Sequence, residues 1–433
     1  MLESAAMAFG VLVILLTIGV PLPHCFAGGI ITMVALGDAT MSGAMVYGFG
    51  QLASPILLAI PLFVLAGTIM SSSGIAAALL RLVNNFVGGI RGGLGVVATV
   101  SCGIIGAISG SGLTGVAAVG SILIPEMEKR GYPRPYAAAL IANSSVLGLL
   151  IPPSVTMIVF GWVTNTSILA SFLATLGPGL LVTLLLCLIN IRMARKFPLV
   201  LDEPLQFKQK VRATAKNTFV AIPALLMPVL ILGGIYGGIM TPTEAAALAV
   251  VYAVPIGFLI YRGLNIKSLL EAGKEAGTSV GSIMIMILFS LILSQMFVFN
   301  NVPQALVDIV FTVTDNKTVL LLMICLLLFV LGMIVNDITS IILVAPLLMP
   351  LMEALQVSPV QFAAIIGVNT ALGGVTPPYA SILYLAARVG NVRFVDIIKP
   401  AMILLVCAYI PVALLTAFWP GLSTAIPGLL GYF

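Results

Sequence analysis

The sequence predicts an all-α polytopic membrane protein made of two inverted repeats, each holding a re-entrant helical hairpin and a broken helix. Three observations predict it. Hydrophobic residues make up 61% of the 433-residue chain and charged residues 8%, where a soluble domain carries about 25% charged residues. Residues 109–154 recur as 334–379 at a constant offset of 225, so that Thr114 falls on Thr339, Glu128 on Glu353, Gly148 on Gly373 and Pro152-Pro153 on Pro377-Pro378. In both copies the hydrophobic runs are interrupted by Gly, Pro, Asn, Ser and Thr.

Seven of the nineteen Lys and Arg lie between Arg192 and Lys216, in the one long polar stretch. The positive-inside rule places this stretch in the cytoplasm. It divides the chain into a first repeat (1–191), a basic cytoplasmic linker (192–216) and a second repeat (217–433). Walking outward from the linker in alternating spans puts eighteen of the nineteen basic residues inside and both termini outside. The two repeats then face opposite ways. The five cysteines are scattered singly and read as apolar packing residues. The basic residues sit in loops, so the net charge of +5 gives no sign of nucleic-acid binding.

In the first repeat, residues 75–90 carry charge on one helical face and are expected to lie along the cytoplasmic interface. A hairpin is expected over 93–129, with its tip at Ser109-Gly110-Ser111-Gly112-Leu113-Thr114-Gly115. Each flank is too short to cross about 30 Å as a helix, and non-helical backbone at that depth must line a cavity or be buried in protein. Hydroxyls and freed carbonyls there would make oxygen sites for a hard cation such as Na⁺, while the glycines also fit a close-packed helix face. A broken helix is expected over 135–165, with Asn143, Ser144 and Ser145 before Gly148 and Pro152-Pro153-Ser154. Consecutive prolines unwind a helix, which would free carbonyls around Gly148 to Ile151 and present N–H groups to an anion after Pro153.

The second repeat repeats the plan. An interfacial helix is expected over 264–275, a hairpin over 317–355 and a broken helix over 359–388. The second tip carries Asn336-Asp337-Ile338-Thr339-Ser340, and the break carries Asn369, Thr370, Gly373 and Thr376. An Asp at mid-membrane costs about 2.5–3.5 kcal/mol on insertion scales and is functional by default. Asp337 therefore reads as an ion ligand, or as the N-cap of the following helix. Thr241-Pro242-Thr243-Glu244 reads as a capping box. No P-loop or HExxH motif is present, and Asp337 has no His or Lys near it in sequence, so an enzyme is not expected.

Segments 61–70 (PLFVLAGTIM), 109–115, 124–132 (IPEMEKRGY), 143–154, 240–249 (MTPTEAAALA) and 369–379 (NTALGGVTPPY) together resemble the large membrane subunit of TRAP (tripartite ATP-independent periplasmic) transporters, the DctM-like family. The resemblance runs over the whole length. It implies a Na⁺-coupled, elevator-type secondary transporter of a bacterial or archaeal inner membrane, with a mobile transport domain and a scaffold. It also implies a small four-helix membrane subunit and a periplasmic binding protein that delivers an organic acid. Carried over by motif, one Na⁺ site involves Ser109, Ser111, Asn143, Ser145 and Gly148, and a second Asp337, Thr339, Thr370 and Gly373. The substrate would lie near Ser111, Pro153, Ser154, Asn369 and Thr376. Where some relatives place an Arg near the substrate, this chain has Asn300 and Asn301. A self-sufficient Na⁺/dicarboxylate symporter of related architecture is the alternative.

Overall fold

The structure, a computed structural model, describes residues 2–37, 40–200, 207–378 and 380–432. These are helical nearly throughout, with no strand among them. Nine helices among the described residues are long and apolar enough to cross a membrane. Helices satisfy their own backbone groups, which hydrocarbon requires.

The chain opens with the paired helices Leu2–Thr17 and Leu22–Ala35. Helix Ala59–Ser73 then packs against Pro242–Pro255 and Ile266–Phe299. It ends at Gly74, whose φ of +85° turns the chain into Ile75–Val87. That helix buries Ile75, Ala78 and Leu79 and packs against Gly93–Ser109 and Phe207–Tyr236. Helix Pro242–Pro255 opens with the expected capping box: Thr241 N donates to Glu244 Oε2 at 2.8 Å, and Glu244 N donates to Thr241 Oγ1 at 3.3 Å.

Two elements differ from expectation. Residues 264–275 do not form a separate helix. One helix runs from Ile266 to Phe299, started by a capping box between Asn265 and Ser268 and uninterrupted by any proline. Its 34 residues span about 51 Å, more than the roughly 30 Å of a bilayer core, so its first turns project beyond the core. The linker is also shorter than expected, because Ile168–Ala194 and Phe207–Tyr236 both extend into 192–216. Residues 195–200 fold back on the first repeat: Val200 N donates to Arg130 O at 3.1 Å, and the Arg91 guanidinium donates to the carbonyl of Phe197 at 3.0 Å. Residues 201–206 lie outside the described residues.

Two hairpins and two broken helices make up the most buried part. The first hairpin runs through Gly93–Ser109, a tip at Gly110-Ser111, and a second arm that is helical from Gly112 to Lys129 with one wide turn at Val116–Gly120. The second runs through Lys317–Ile334, Val335-Asn336 and Asp337–Ala354. The first broken helix comprises Arg134–Ser145, Leu147–Leu150 and Val155–Thr164; the second comprises Pro359–Gly373 and Ser381–Gly390. Prolyl bonds Pro152-Pro153 and Pro377-Pro378 are both cis. The first break falls at Ile151–Ser154, later than expected, since Leu147–Leu150 stays helical and Ile151 N donates to Leu147 O.

Candidate functional site

Each tip is shaped by local chemistry. Gly93–Ser109 ends because Gly110 takes φ +62°, and Ser111 is extended before the chain re-enters helix at Gly112. Ser109 Oγ lies 3.3 Å from Ser111 O and 3.4 Å from Ser111 N, tying the turn together. In the second tip the N-cap is Asn336, not Asp337: its Oδ1 accepts from Ile338 N at 3.0 Å. Asp337 is the first helical residue, and its carboxylate lies at the positive end of the helix beside the first N–H groups.

The two tips and two breaks meet at one cavity of about 90 Å³. Gly110 to Leu113 line it from the first tip and Val335 to Ile338 from the second. These are the same four positions of each repeat, 225 residues apart. Leu149 and Gly374 also line it, as do Thr156 and Ser381, and both pairs are separated by 225 residues. The cavity is therefore built with a pseudo-two-fold from equivalent residues of the two repeats. Its chemistry is not symmetric. Asp337 is the one charged residue among the described lining residues, and it stands where the first repeat has Gly112.

Close helix approach sets this geometry. A Cβ built on Gly148 would stand 2.7 Å from Gly106 Cα and 3.0 Å from Ser111 O. A Cβ on Gly373 would stand 1.9 Å from the carbonyl carbon of Gly332, and one on Gly332 would stand 3.0 Å from Thr370 O. In each repeat a glycine pair thus lets the first hairpin arm touch the broken helix beside the cavity.

Of the expected ion-site residues, Ser111, Asp337 and Thr370 line the cavity. Ser109, Gly148 and Gly373 sit directly behind it. Ser145 packs against the first tip, where a Cβ on Gly115 would come within 2.8 Å of its Oγ. Asn143 is buried, and its Nδ2 donates to Ala139 O at 3.0 Å while its main-chain carbonyl accepts from Tyr409 Oη. Asn143 Oδ1 and Thr339 Oγ1 are buried oxygens without a hydrogen-bond partner. Such orphans carry a desolvation cost, and one belongs to each expected Na⁺ set. No three His, Cys, Asp or Glu gather among the described residues. Cation binding here would rest on neutral oxygens and Asp337, a donor set that fits a hard ion.

The expected substrate residues are placed differently. Ser111 faces the cavity. Ser154 Oγ donates to Leu149 O and meets Thr156 Oγ1, both at 2.7 Å. Thr376 Oγ1 donates to Leu372 O at 2.8 Å, and Asn369 Nδ2 to Ile365 O at 2.8 Å. Pro153 is buried, its carbonyl toward Gly110. Pro153, Ser154 and Thr376 lie at the breaks, Asn369 bonds within Pro359–Gly373, and Thr156 and Ser381 bring hydroxyl-bearing residues to the cavity wall. The signal for that pair was the repeat offset itself, continued two residues past 154 and 379. Tyr379 lies outside the described residues.

A cavity at the interface of two repeats, lined by helix breaks within a bundle of apolar helices, defines a secondary membrane transporter. The chain belongs to the family described as the tripartite ATP-independent periplasmic transporter, DctM component, whose profile matches residues 9–422. It is 35% identical over 392 residues to the ectoine TRAP transporter large permease protein TeaC of Halomonas elongata, covering 87% of this chain and 91% of that one. It is 34% identical over 377 residues to the sialic acid TRAP transporter large permease protein SiaM of Vibrio cholerae, covering 87% of each. It is 32% identical over 449 residues to the C4-dicarboxylate TRAP transporter large permease protein DctM of the same organism, covering 99% and 98%. In fold it is similar to the YdaH transporter of Alcanivorax borkumensis, with TM-score 0.61, 16% identity and 87% of each chain covered. The chain is thus a multi-pass transporter permease and not an enzyme.

Proposed function

We propose that this chain carries a small organic acid across a bacterial or archaeal inner membrane, drawn by Na⁺ and delivered by a periplasmic binding protein. The observation that carries the reading is the shared cavity: equivalent residues of both repeats line it, and Asp337 supplies its one charge. A cation held by Asp337, Thr339, Thr370 and the backbone near Gly373 would offset that charge. A second, at Ser109, Ser111, Asn143, Ser145 and Gly148, would use neutral oxygens alone. The carboxylate then rests between them on bound Na⁺, hydroxyls and N–H groups. The hairpins and broken helices would move as one body against the remaining helices, in an elevator. The small membrane subunit would complete the frame, and both termini would lie outside.

The relatives' names supply the probes. Proteoliposomes holding this chain and the small subunit are given an inward Na⁺ gradient and succinate, ectoine or N-acetylneuraminate, with and without the binding protein. Uptake that needs both Na⁺ and the binding protein is expected for one of the three. Na⁺-driven uptake without the binding protein would replace this reading with the self-sufficient symporter, and uptake indifferent to Na⁺ would remove the coupling.

A further inference from the structure

Behind the second hairpin lies another cavity, of about 310 Å³, lined only by Ala, Phe, Val and Leu. Leu327 and Leu331 of the first arm and Val344 and Leu347 of the second line it on the hairpin side, and Phe9 and Leu306 line it from two other helices. Leu331 adjoins Gly332, which lines the polar cavity. The hairpin is thus a thin wall between an ion-binding side and an apolar side.

The first hairpin is backed differently. Helix Ile75–Val87 packs on Gly93–Ser109 and buries Ile75, Leu79, Leu80 and Leu82. At the repeat offset its counterpart is Val302–Val313, where Gln304 and Ala305 replace Leu79 and Leu80. That helix packs chiefly on Asp337–Ala354, and Gln304 and Asp308 are exposed. The leucines buried at 79 and 80 beside the first hairpin therefore have no equivalents at 304 and 305 beside the second.

We propose that one acyl chain of a membrane phospholipid fills this groove and forms the back wall of the second hairpin. The groove opens onto the lipid-facing surface of a membrane protein, so hydrocarbon is its immediate surroundings. Its volume matches roughly ten water-sized groups of about 30 Å³ each, and hence a run of methylenes. A stable protein interface needs more than about 1,000 Å², far more surface than the twelve residues lining this groove offer. Val302–Val313 exposes Gln304 and Asp308 and turns Val302 and Leu306 to the groove, an amphipathic helix suited to the headgroup plane, so a chain enters beside it. Filled, the groove supports the hairpin at interior packing density; unfilled, its lining side chains lose their contacts.

The test is native mass spectrometry of the permease co-purified with its small subunit from membranes in mild detergent. One retained phospholipid is expected on the wild type. Ala6→Phe and Val344→Phe, which fill the groove from opposite walls, should each lower the lipid-bound fraction at least fivefold. Phe219→Ala, on an exposed face elsewhere, should not. Stripping lipid should also lower the melting temperature of the wild type and leave that of Val344→Phe unchanged. A wild type without lipid, or equal retention in all variants, would overturn the proposal. So would Phe9→Cys cross-linking to the small subunit or to a second copy.

Discussion

Replacing Gly373 with Ala puts a methyl group where another helix's backbone stands. The new Cβ would lie 1.9 Å from the carbonyl carbon of Gly332 and 2.1 Å from its oxygen. Carbon contacts need about 3.5–4.0 Å, so the first arm of the second hairpin must retreat by about 1.5–2 Å. Gly332 faces Thr370 and precedes Val335 and Asp337, so the shift falls on the groups that line the cavity. Overpacking of this kind costs about 1–3 kcal/mol. A metal site tolerates ligand displacements of only about 0.2 Å. Gly373→Ala should therefore fold with a lowered melting temperature and raise the Na⁺ concentration for half-maximal uptake at least tenfold. Gly277→Ala is the control: nothing lies within 4 Å of its Cβ, and Ala in a helix interior is favoured by about 0.5–1 kcal/mol. If Gly373→Ala transports with wild-type Na⁺ dependence, the close approach of hairpin and broken helix does not set the ion site.

Two further substitutions separate solute binding from folding. Thr156→Ala and Ser381→Ala remove the hydroxyl pair at the cavity wall, and each should raise the solute KM of uptake about five- to tenfold, the effect of one hydrogen bond of about 1–1.5 kcal/mol, without unfolding the permease; an unchanged KM in both would place the solute elsewhere. Thr241→Ala dismantles the exposed capping box and should cost about 1 kcal/mol of stability with uptake unchanged, checked by paired melting and transport measurements.

The hairpins and breaks were legible because a bilayer leaves so few ways to interrupt a hydrophobic run. A Gly-rich tip or a Pro-Pro step has to be buried or line a cavity, and its recurrence at a fixed offset tied the two halves together. Which hydroxyls face the cavity was less legible. Ser154 and Thr376 are polar and beside the breaks, yet carbonyls such as Leu149 and Leu372 need partners in hydrocarbon, and these hydroxyls serve them. The cap of the second hairpin falls to Asn336, leaving Asp337 for the cavity, a choice between adjacent capping residues that sequence does not rank. Helix Ile266–Phe299 outran its expected division because an amphipathic stretch and an apolar span joined without a breaker are one helix to the backbone.

The most direct test of the account is Na⁺-dependent uptake by Asp337→Asn beside the wild type, in proteoliposomes with the small subunit and the binding protein. Asn keeps the shape and removes the charge. Losing a charged partner of an ion costs about 1.5–3 kcal/mol, so half-maximal uptake should require roughly ten- to a hundredfold more Na⁺, with expression and melting little changed. A variant that transports with the wild-type Na⁺ dependence would contradict the claim that the two repeats meet at an ion-coupled cavity whose charge is Asp337.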